Sequence, residues 1–193
     1  MDFAGVKNYI LGKLERELNP DLVYHCLEHT LDVLNSTINI AEKEGVEEDD
    51  LILLKSAALF HDSGMLLTYV GHEEASAEIV QEVLPRFEFT QEGVDTISNM
   101  IITTKLPQRA SSFLEKILCD ADLDYLGRED FFMTSHRLRH EWIALNINRL
   151  SLLEWYQLQV EFLETHQYFT NYTIKLRQEK KIMNLKEIKE LLK

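Results

Sequence analysis

An all-helical (all-α) fold is predicted by three features of the 193-residue chain. Apolar residues recur at intervals of three and four, and no run alternates strictly with a period of two. Helix breakers are scarce, with seven glycines and three prolines. The hydrophobic content, 45%, is enough to fill the core of one domain, which is expected to span residues 1–193.

The elements follow in order. Phe3, Val6, Ile10 and Leu14 form one stripe behind Asp2 as a cap, and Asn19-Pro20 ends this first helix. A second helix is predicted from about Asp21 to Glu44, with Gly45 as its stop. Leu27, Leu31, Leu34, Ile38 and Ala41 lie on one stripe of it, and His25, His29, Val33 and Ile40 on another, so it belongs inside a bundle. The acidic turn from Glu47 to Asp50 caps a third helix with Leu51, Leu54, Ala58 and His61 on one face, broken at Ser63-Gly64. Gly71-His72 opens a fourth, aligning His72, Ser76, Ile79 and Val83 before Leu84-Pro85.

A fifth helix follows Thr90, uses Val94, Ile97, Ile101 and Thr104, and is closed by Pro107. Ser112 and Glu115 make a capping box for a sixth, on which Leu118, Asp122 and Tyr125 share a face. Beyond Gly127 the pattern gives a helix through about Leu150, another starting at the Ser151–Glu154 box, and a last short one from an Asn184–Glu187 box. The charged stretch from Arg177 to Lys181 reads as a surface turn.

Twenty basic residues against 33 acidic ones give a net charge of −13, which repels phosphate backbones and anionic membranes alike. Long nucleic acid and membrane are therefore excluded as partners. A small anionic substrate would need a local cation, for which Lys105 and Arg109 are the candidates. Cys26 and Cys119 lack metal or disulfide spacing and are expected as reduced core residues. Met1-Asp2 opens an amphipathic pattern rather than a secretory signal, and no apolar run approaches membrane length, so a cytoplasmic location is expected.

The chemistry lies in His29, His61-Asp62 and Asp122, each in or at the end of a predicted helix. Two imidazoles and two carboxylates form a mixed nitrogen and oxygen shell that suits a divalent metal and leaves positions for water and substrate. An unpaired aspartate after the apolar run from Ala57 to Phe60 would be costly to bury, so a cation partner is the simpler explanation for Asp62. Among Asp120, Asp122 and Asp124, only Asp122 shares the face of Leu118 and Tyr125. His136, His140 and His166 have no metal spacing and are read as structural. Of the aromatic tail residues Trp142, Trp155, Tyr156, Tyr168, Phe169 and Tyr172, most are expected in the core, with one or two roofing a pocket.

The ordered segments Tyr24–Val33, Ala58–Gly64 and Asp120–Asp124 resemble the HD superfamily of metal-dependent phosphohydrolases. The HxxxHT opening at His25, the Gly71-His72-Glu73 segment and the aromatic tail are similar to the predicted metal-dependent HD phosphohydrolase group. The resemblance implies an HD-domain helical bundle with a motif core at about 24–127 and a C-terminal helical extension at about 128–193. It implies that His29, His61, Asp62 and Asp122 bind one divalent ion, drawn from Mn, Mg, Fe, Co, Ni and Zn. A weakly held second ion is allowed for near Asp62 and His72, although the next candidate segment, Asn99 to Lys105, contains no histidine.

His25 resembles the catalytic histidine of the HNxxH motif of cyclic-nucleotide phosphodiesterases, but Cys26 stands where those enzymes carry asparagine. The implied activity is hydrolysis of a small phosphorylated compound, a nucleotide among the candidates, as a phosphomonoester or phosphodiester. His25, Asp62 and Glu73 are the expected catalytic groups. Lys105, Arg109 and His72 are the expected contacts to substrate. The alternative is a non-catalytic metal- or nucleotide-binding sensor module of the same fold, and either reading leaves room for an oligomer.

Overall fold

The computed structural model describes residues 1–193 and contains nine α-helices and no strand. They are α1 (Phe3–Glu17), α2 (Leu27–Glu44), α3 (Glu48–Phe60), α4 (His72–Val83), α5 (Gln91–Thr104), α6 (Phe113–Asp122), α7 (Phe131–Ala144), α8 (Leu152–Thr165) and α9 (Asn171–Leu191). Short 3-10 turns fill Ser63–Leu66, Leu84–Phe87 and Asp124–Gly127. No helix is long and apolar enough to cross a membrane.

Local chemistry sets most boundaries. Asp2 accepts from Gly5 N at 2.9 Å and Thr90 from Gly93 N at 3.2 Å, which satisfies N–H groups that the first turns of α1 and α5 leave free. Full capping boxes start α6 at Ser112 and Glu115 and α8 at Ser151 and Glu154.

Two apolar cores result. In the larger, the stripe Val6, Ile10 and Leu14 of α1 meets Val33 and Leu34 of α2, Leu54 and Phe60 of α3, Val80 of α4, Val94 and Ile97 of α5, and Leu118 of α6. Burial of each such large side chain contributes about 1.5–3 kcal/mol. The smaller core joins Tyr24, Leu123, Tyr125 and Leu126 to Phe131 of α7, Leu163 of α8, Tyr168 of the link between α8 and α9, and Ile188 of α9.

Three expectations are corrected. The segment 21–26 is not helical, and α2 begins at Leu27 behind an extended Cys26. The backbone N–H groups of Tyr24 and His25 bond the Glu141 carboxylate at 2.8 and 3.0 Å, an arrangement that replaces the first helical turn. His25 therefore reaches the site from a turn, not from the α2 face. Cys119 is buried as expected, whereas Cys26 is only half-buried at the start of α2.

The second correction concerns Arg177 to Lys181, which lies inside α9 and not in a surface turn. Arg177 pairs with Asp124 through Nε at 2.7 Å and Nη2 at 2.9 Å, and buried Lys181 donates to His166 O at 2.5 Å. These charges are drawn inward by specific partners. Third, no helix starts at Asn184, a buried residue of α9 whose Nδ2 donates to Leu126 O and Arg128 O at 3.0 and 3.1 Å. Gly127 permits this approach, because a Cβ there would lie 2.4 Å from Arg177 O.

Candidate metal centre

Helix ends, not helix middles, deliver the donor groups. His29 lies in the first turn of α2, His61 follows the last residue of α3, and Asp122 is the last residue of α6. His29 Nε2 stands 3.3 Å from His61 Nε2, 3.5 Å from Asp62 Oδ2 and 3.4 Å from Asp122 Oδ1. His61 Nε2 stands 3.1 Å from Asp62 Oδ2 and 3.6 Å from Asp122 Oδ1. Nitrogen and oxygen donors bonded at about 2.0–2.2 Å to one divalent ion sit roughly 3.0–3.6 Å apart, so this set fits a shared cation.

Two further observations favour that fit. Asp62 Oδ2 is buried without a hydrogen bond, and an ionised oxygen is not left so in a protein interior unless a charge partner meets it. His61 Nδ1 lies 2.9 Å from Ala58 O, which requires Nδ1 to carry the proton and turns the Nε2 lone pair toward the other donors.

Without a cation the histidine and the carboxylates hold each other in their charged forms. Burial lowers the His61 pKa, but Asp62 and Asp122 outweigh it and push it up to about 9. Burial raises the Asp62 pKa, but His61, His25 and His72 hold it well below the usual carboxylate range.

Asp62 also faces a second group. Its Oδ1 lies 3.4 Å from His72 Nε2, while His72 Nδ1 donates to Tyr69 O at 2.9 Å. Burial lowers the His72 pKa, yet Asp62 carries it up to about 8. One ring nitrogen of His25 completes a trio with His72 and Asp62 whose donor atoms all lie within 4.8 Å of one another. Gly64 makes room for this arrangement, since a Cβ there would come 2.0 Å from His72 O, and its N–H donates to Ser76 Oγ at 2.7 Å.

Sequence reasoning missed Glu141, fully buried on α7. Its Oε1 accepts from His25 Nδ1 at 2.5 Å and from Tyr69 OH at 2.9 Å, while Oε2 takes the Tyr24 and His25 N–H groups. Burial raises its pKa, but His25 and these N–H donors lower it overall. Its spacing of three from Leu138 and six from Ser135, on an otherwise inward face of α7, was the available signal.

A cavity of about 300 Å³ opens beside Asp62, His72, His25 and Asp122. Ten of its 17 lining residues are hydrophobic, and half of these, Leu138, Trp142, Trp155, Leu158 and Phe162, come from α7 and α8. Glu73 also lines it, with Oε2 3.7 Å from His72 Nδ1.

Other expected site residues lie elsewhere. Lys105 and Arg109 are exposed and do not line the cavity. Lys105 leaves α5 with ψ 129 and pairs with Glu74, so its charge is turned outward. Asp120 accepts from Phe169 N, Thr170 N and Thr170 Oγ1 at 2.8, 2.8 and 2.7 Å, and Asp124 binds Arg177. Only Asp122 of that acidic run joins the donor set. His136 bonds Tyr156, His166 packs against Lys181, and His140 is exposed, so none takes part.

The fold and this donor set define an all-α protein with a histidine–aspartate cluster, able to hold a metal ion, at the ends of its bundle helices. The HD domain family model matches residues 26–124, about half of the chain. The chain belongs to the HD domain family. Among solved structures it is similar to the crystal structure of a predicted HD superfamily hydrolase from an uncultured Thermotogales bacterium, at 23% identity and a TM-score of 0.62, covering 98% of this chain and 90% of that one. That likeness extends the shared fold over α7, α8 and α9. No curated protein matches the chain.

Proposed function

We propose that the protein is a metal-dependent phosphohydrolase acting on a small phosphorylated compound, with nucleotides among the candidates. The observation that carries this reading is the convergence of His29, His61, Asp62 and Asp122 at donor separations of 3.1–3.6 Å around an unsatisfied Asp62 oxygen. These four residues would hold the ion, and a divalent cation there supplies Lewis acidity toward a phosphoryl oxygen and acidifies coordinated water.

The chain's own groups do the rest. Glu141 accepts a hydrogen bond from His25 Nδ1 and orients the ring, so that in the imidazolium form the Nε2–H can pass its proton to the leaving oxygen. Asp62, with one oxygen toward each histidine group, orients the attacking water. His72 contacts the substrate side of Asp62, and Glu73 is a second proton carrier at the cavity wall. The apolar α7–α8 wall limits water around the reacting phosphate.

A specific observation favours a second reading of the cofactor content. The His25, Asp62 and His72 trio can hold a weaker second ion, in which case His25 is a ligand and not a proton donor. Elemental analysis after equilibrium dialysis separates the two, with one ion per chain expected and two supporting the alternative.

The activity itself is tested by phosphate release from mono- and diesters with each of Mn, Mg, Fe, Co, Ni and Zn added. Metal-dependent release from at least one substrate is expected. Uniform inactivity beside tight, metal-dependent nucleotide binding would instead identify a sensor module.

A further inference from the structure

The cavity beside the donor atoms has Asp62, Glu73 and Asp122 in its wall and neither lysine nor arginine. A divalent ion balances the charges of Asp62 and Asp122, but nothing in the protein balances Glu73. Its carboxylate, in the first turn of α4, accepts no hydrogen bond. The basic nitrogen beside it, His72 Nδ1 at 3.7 Å, gives its hydrogen to Tyr69 O at 2.9 Å. Lys105, just past the end of α5, pairs with Glu74 instead. The Glu73 side chain keeps 13% of its surface open, so its charge is reachable from the cavity and not sealed behind the wall. Such a carboxylate fits a cation that arrives with the ligand.

The rest of the wall suits the same charge. Tyr69, Trp142 and Phe162 line the cavity and are only half-buried, so they keep ring surface open to it. The negative face of an aromatic ring attracts a cation, and an alkylated ammonium suits it best because it asks for few hydrogen-bond acceptors. A second anionic group on the ligand would meet Glu73 with no counter-charge beside it. The His72 imidazole separates Glu73 from Asp62, its Nε2 standing 3.4 Å from Asp62 Oδ1. A short spacer of about two or three carbons therefore joins a phosphate at the ion to a cation at Glu73. At about 300 Å³ the cavity, small among ligand pockets, has room for such a molecule.

We infer that the substrate is the phosphate ester of a short, N-alkylated amino alcohol whose ammonium group is anchored by Glu73. The phosphate half rests on the phosphohydrolase reading, and the ammonium half on Glu73 and the open ring surface. Water forms a new bond to phosphorus, the ester P–O bond breaks, and the alcohol oxygen takes a proton, which yields phosphate and the free amino alcohol. A carboxylate paired with the ammonium has no proton to give, so that proton falls to His25.

Calorimetric titration of the manganese-loaded protein with three phosphonates, whose C–P bonds resist hydrolysis, tests both halves. The probes are (3-trimethylammoniopropyl)phosphonate, (4,4-dimethylpentyl)phosphonate, in which carbon replaces the nitrogen, and (3-carboxypropyl)phosphonate. Salt at about 0.15 M screens the general field of the acidic chain beyond roughly 8 Å, so that a preference for the cation reports the site. The ammonium compound should bind about thirtyfold tighter than its uncharged isostere, and the carboxylate compound at least about tenfold more weakly than the isostere.

In Glu73→Gln the preference for the ammonium compound should fall to about threefold, the share left to the ring surface. Glu73→Ala serves the same purpose if the glutamine variant does not fold. Equal affinity of the ammonium compound and its isostere in the unsubstituted protein, or a preference that survives both substitutions, overturns the role of Glu73. A carboxylate compound that binds as tightly as the ammonium one overturns the cation site as a whole. Failure of the phosphohydrolase reading looks different, because stripping the metal would then leave all three affinities unchanged while the ammonium preference persisted.

Discussion

The two sides of the cavity have opposite chemistry. Helices α2, α3 and α6 contribute buried imidazoles and carboxylates whose positions are fixed by helix ends, whereas α7 and α8 contribute leucine, tryptophan and phenylalanine. The first side can hold an ion and polarise a phosphate. The second offers an apolar surface that can sort molecules by shape. Division of labour of this kind allows one donor set to serve many substrates, because the selecting side can change without disturbing the reacting side.

The comparison breaks most directly at Asp62. Asp62→Ala should remove the ion measured by elemental analysis and lower phosphate release by roughly a thousandfold, since loss of metal polarisation costs several kcal/mol. Normal release without bound metal would sink the assignment of chemistry to the α2–α3–α6 side.

Glu141 is the point where the two sides join, and Glu141→Gln probes the join. The substitution replaces one oxygen by an NH₂ group, which cannot accept from the pair of donors at that position, either Tyr24 N and His25 N or His25 Nδ1 and Tyr69 OH. About 1–3 kcal/mol of stability should be lost in urea unfolding, and activity should fall about 10- to 100-fold with the ion still bound. An unchanged rate would show that His25 needs no support from α7.

Loosening the extension alone should do less to the reaction. Gly127→Ala drives a Cβ against Arg177 O and should cost about 1–3 kcal/mol in thermal or urea unfolding while metal content stays unchanged. Concurrent loss of the ion would mean that the two sides are not separable.

Acid offers a second handle on the extension. Burial, and then Lys181, lowers the His166 pKa to about 3 from an ordinary 6.5. The folded state therefore binds fewer protons than the unfolded one below pH 6.5. The stability this gives is complete above pH 6.5 and is lost progressively as pH falls toward 3. Between pH 6.5 and 5 the unsubstituted, metal-stripped protein should lose about 2 kcal/mol more than His166→Gln in urea unfolding. Parallel pH profiles of the two proteins would refute this. The smallest effect is expected at Lys105→Ala, because its ion pair with Glu74 is exposed, screened by solvent and off the cavity, so the rate should stay within about twofold.

The reacting side was far more legible in the sequence than the selecting side. Ser63-Gly64 marks the helix end beside His61, and local periodicity singled out Asp122 over Asp120 and Asp124, whereas the pattern put His29 and Asp122 inside helices and not at their ends. The C-terminal helices obey longer-range rules. Arg177 and Lys181 resemble a solvated charge run until Asp124 and the His166 carbonyl are brought to them. Glu141 is hidden for the same reason: its partner at Tyr24 is 117 residues away in the chain. The helical register of 21–26 failed at that contact too, since a carboxylate from α7 captures the N–H groups that would have opened the helix.

The acidic run at the end of α6 has one more consequence. Asp120 is tied to the start of α9 through Thr170, and Asp124 is tied to its second turn through Arg177, so the carboxylate between them is splinted from both sides by a helix that never touches the donor set. A chain shortened before residue 170 would leave that splint unfastened. Such a fragment should let go of its cation before its first six helices begin to melt.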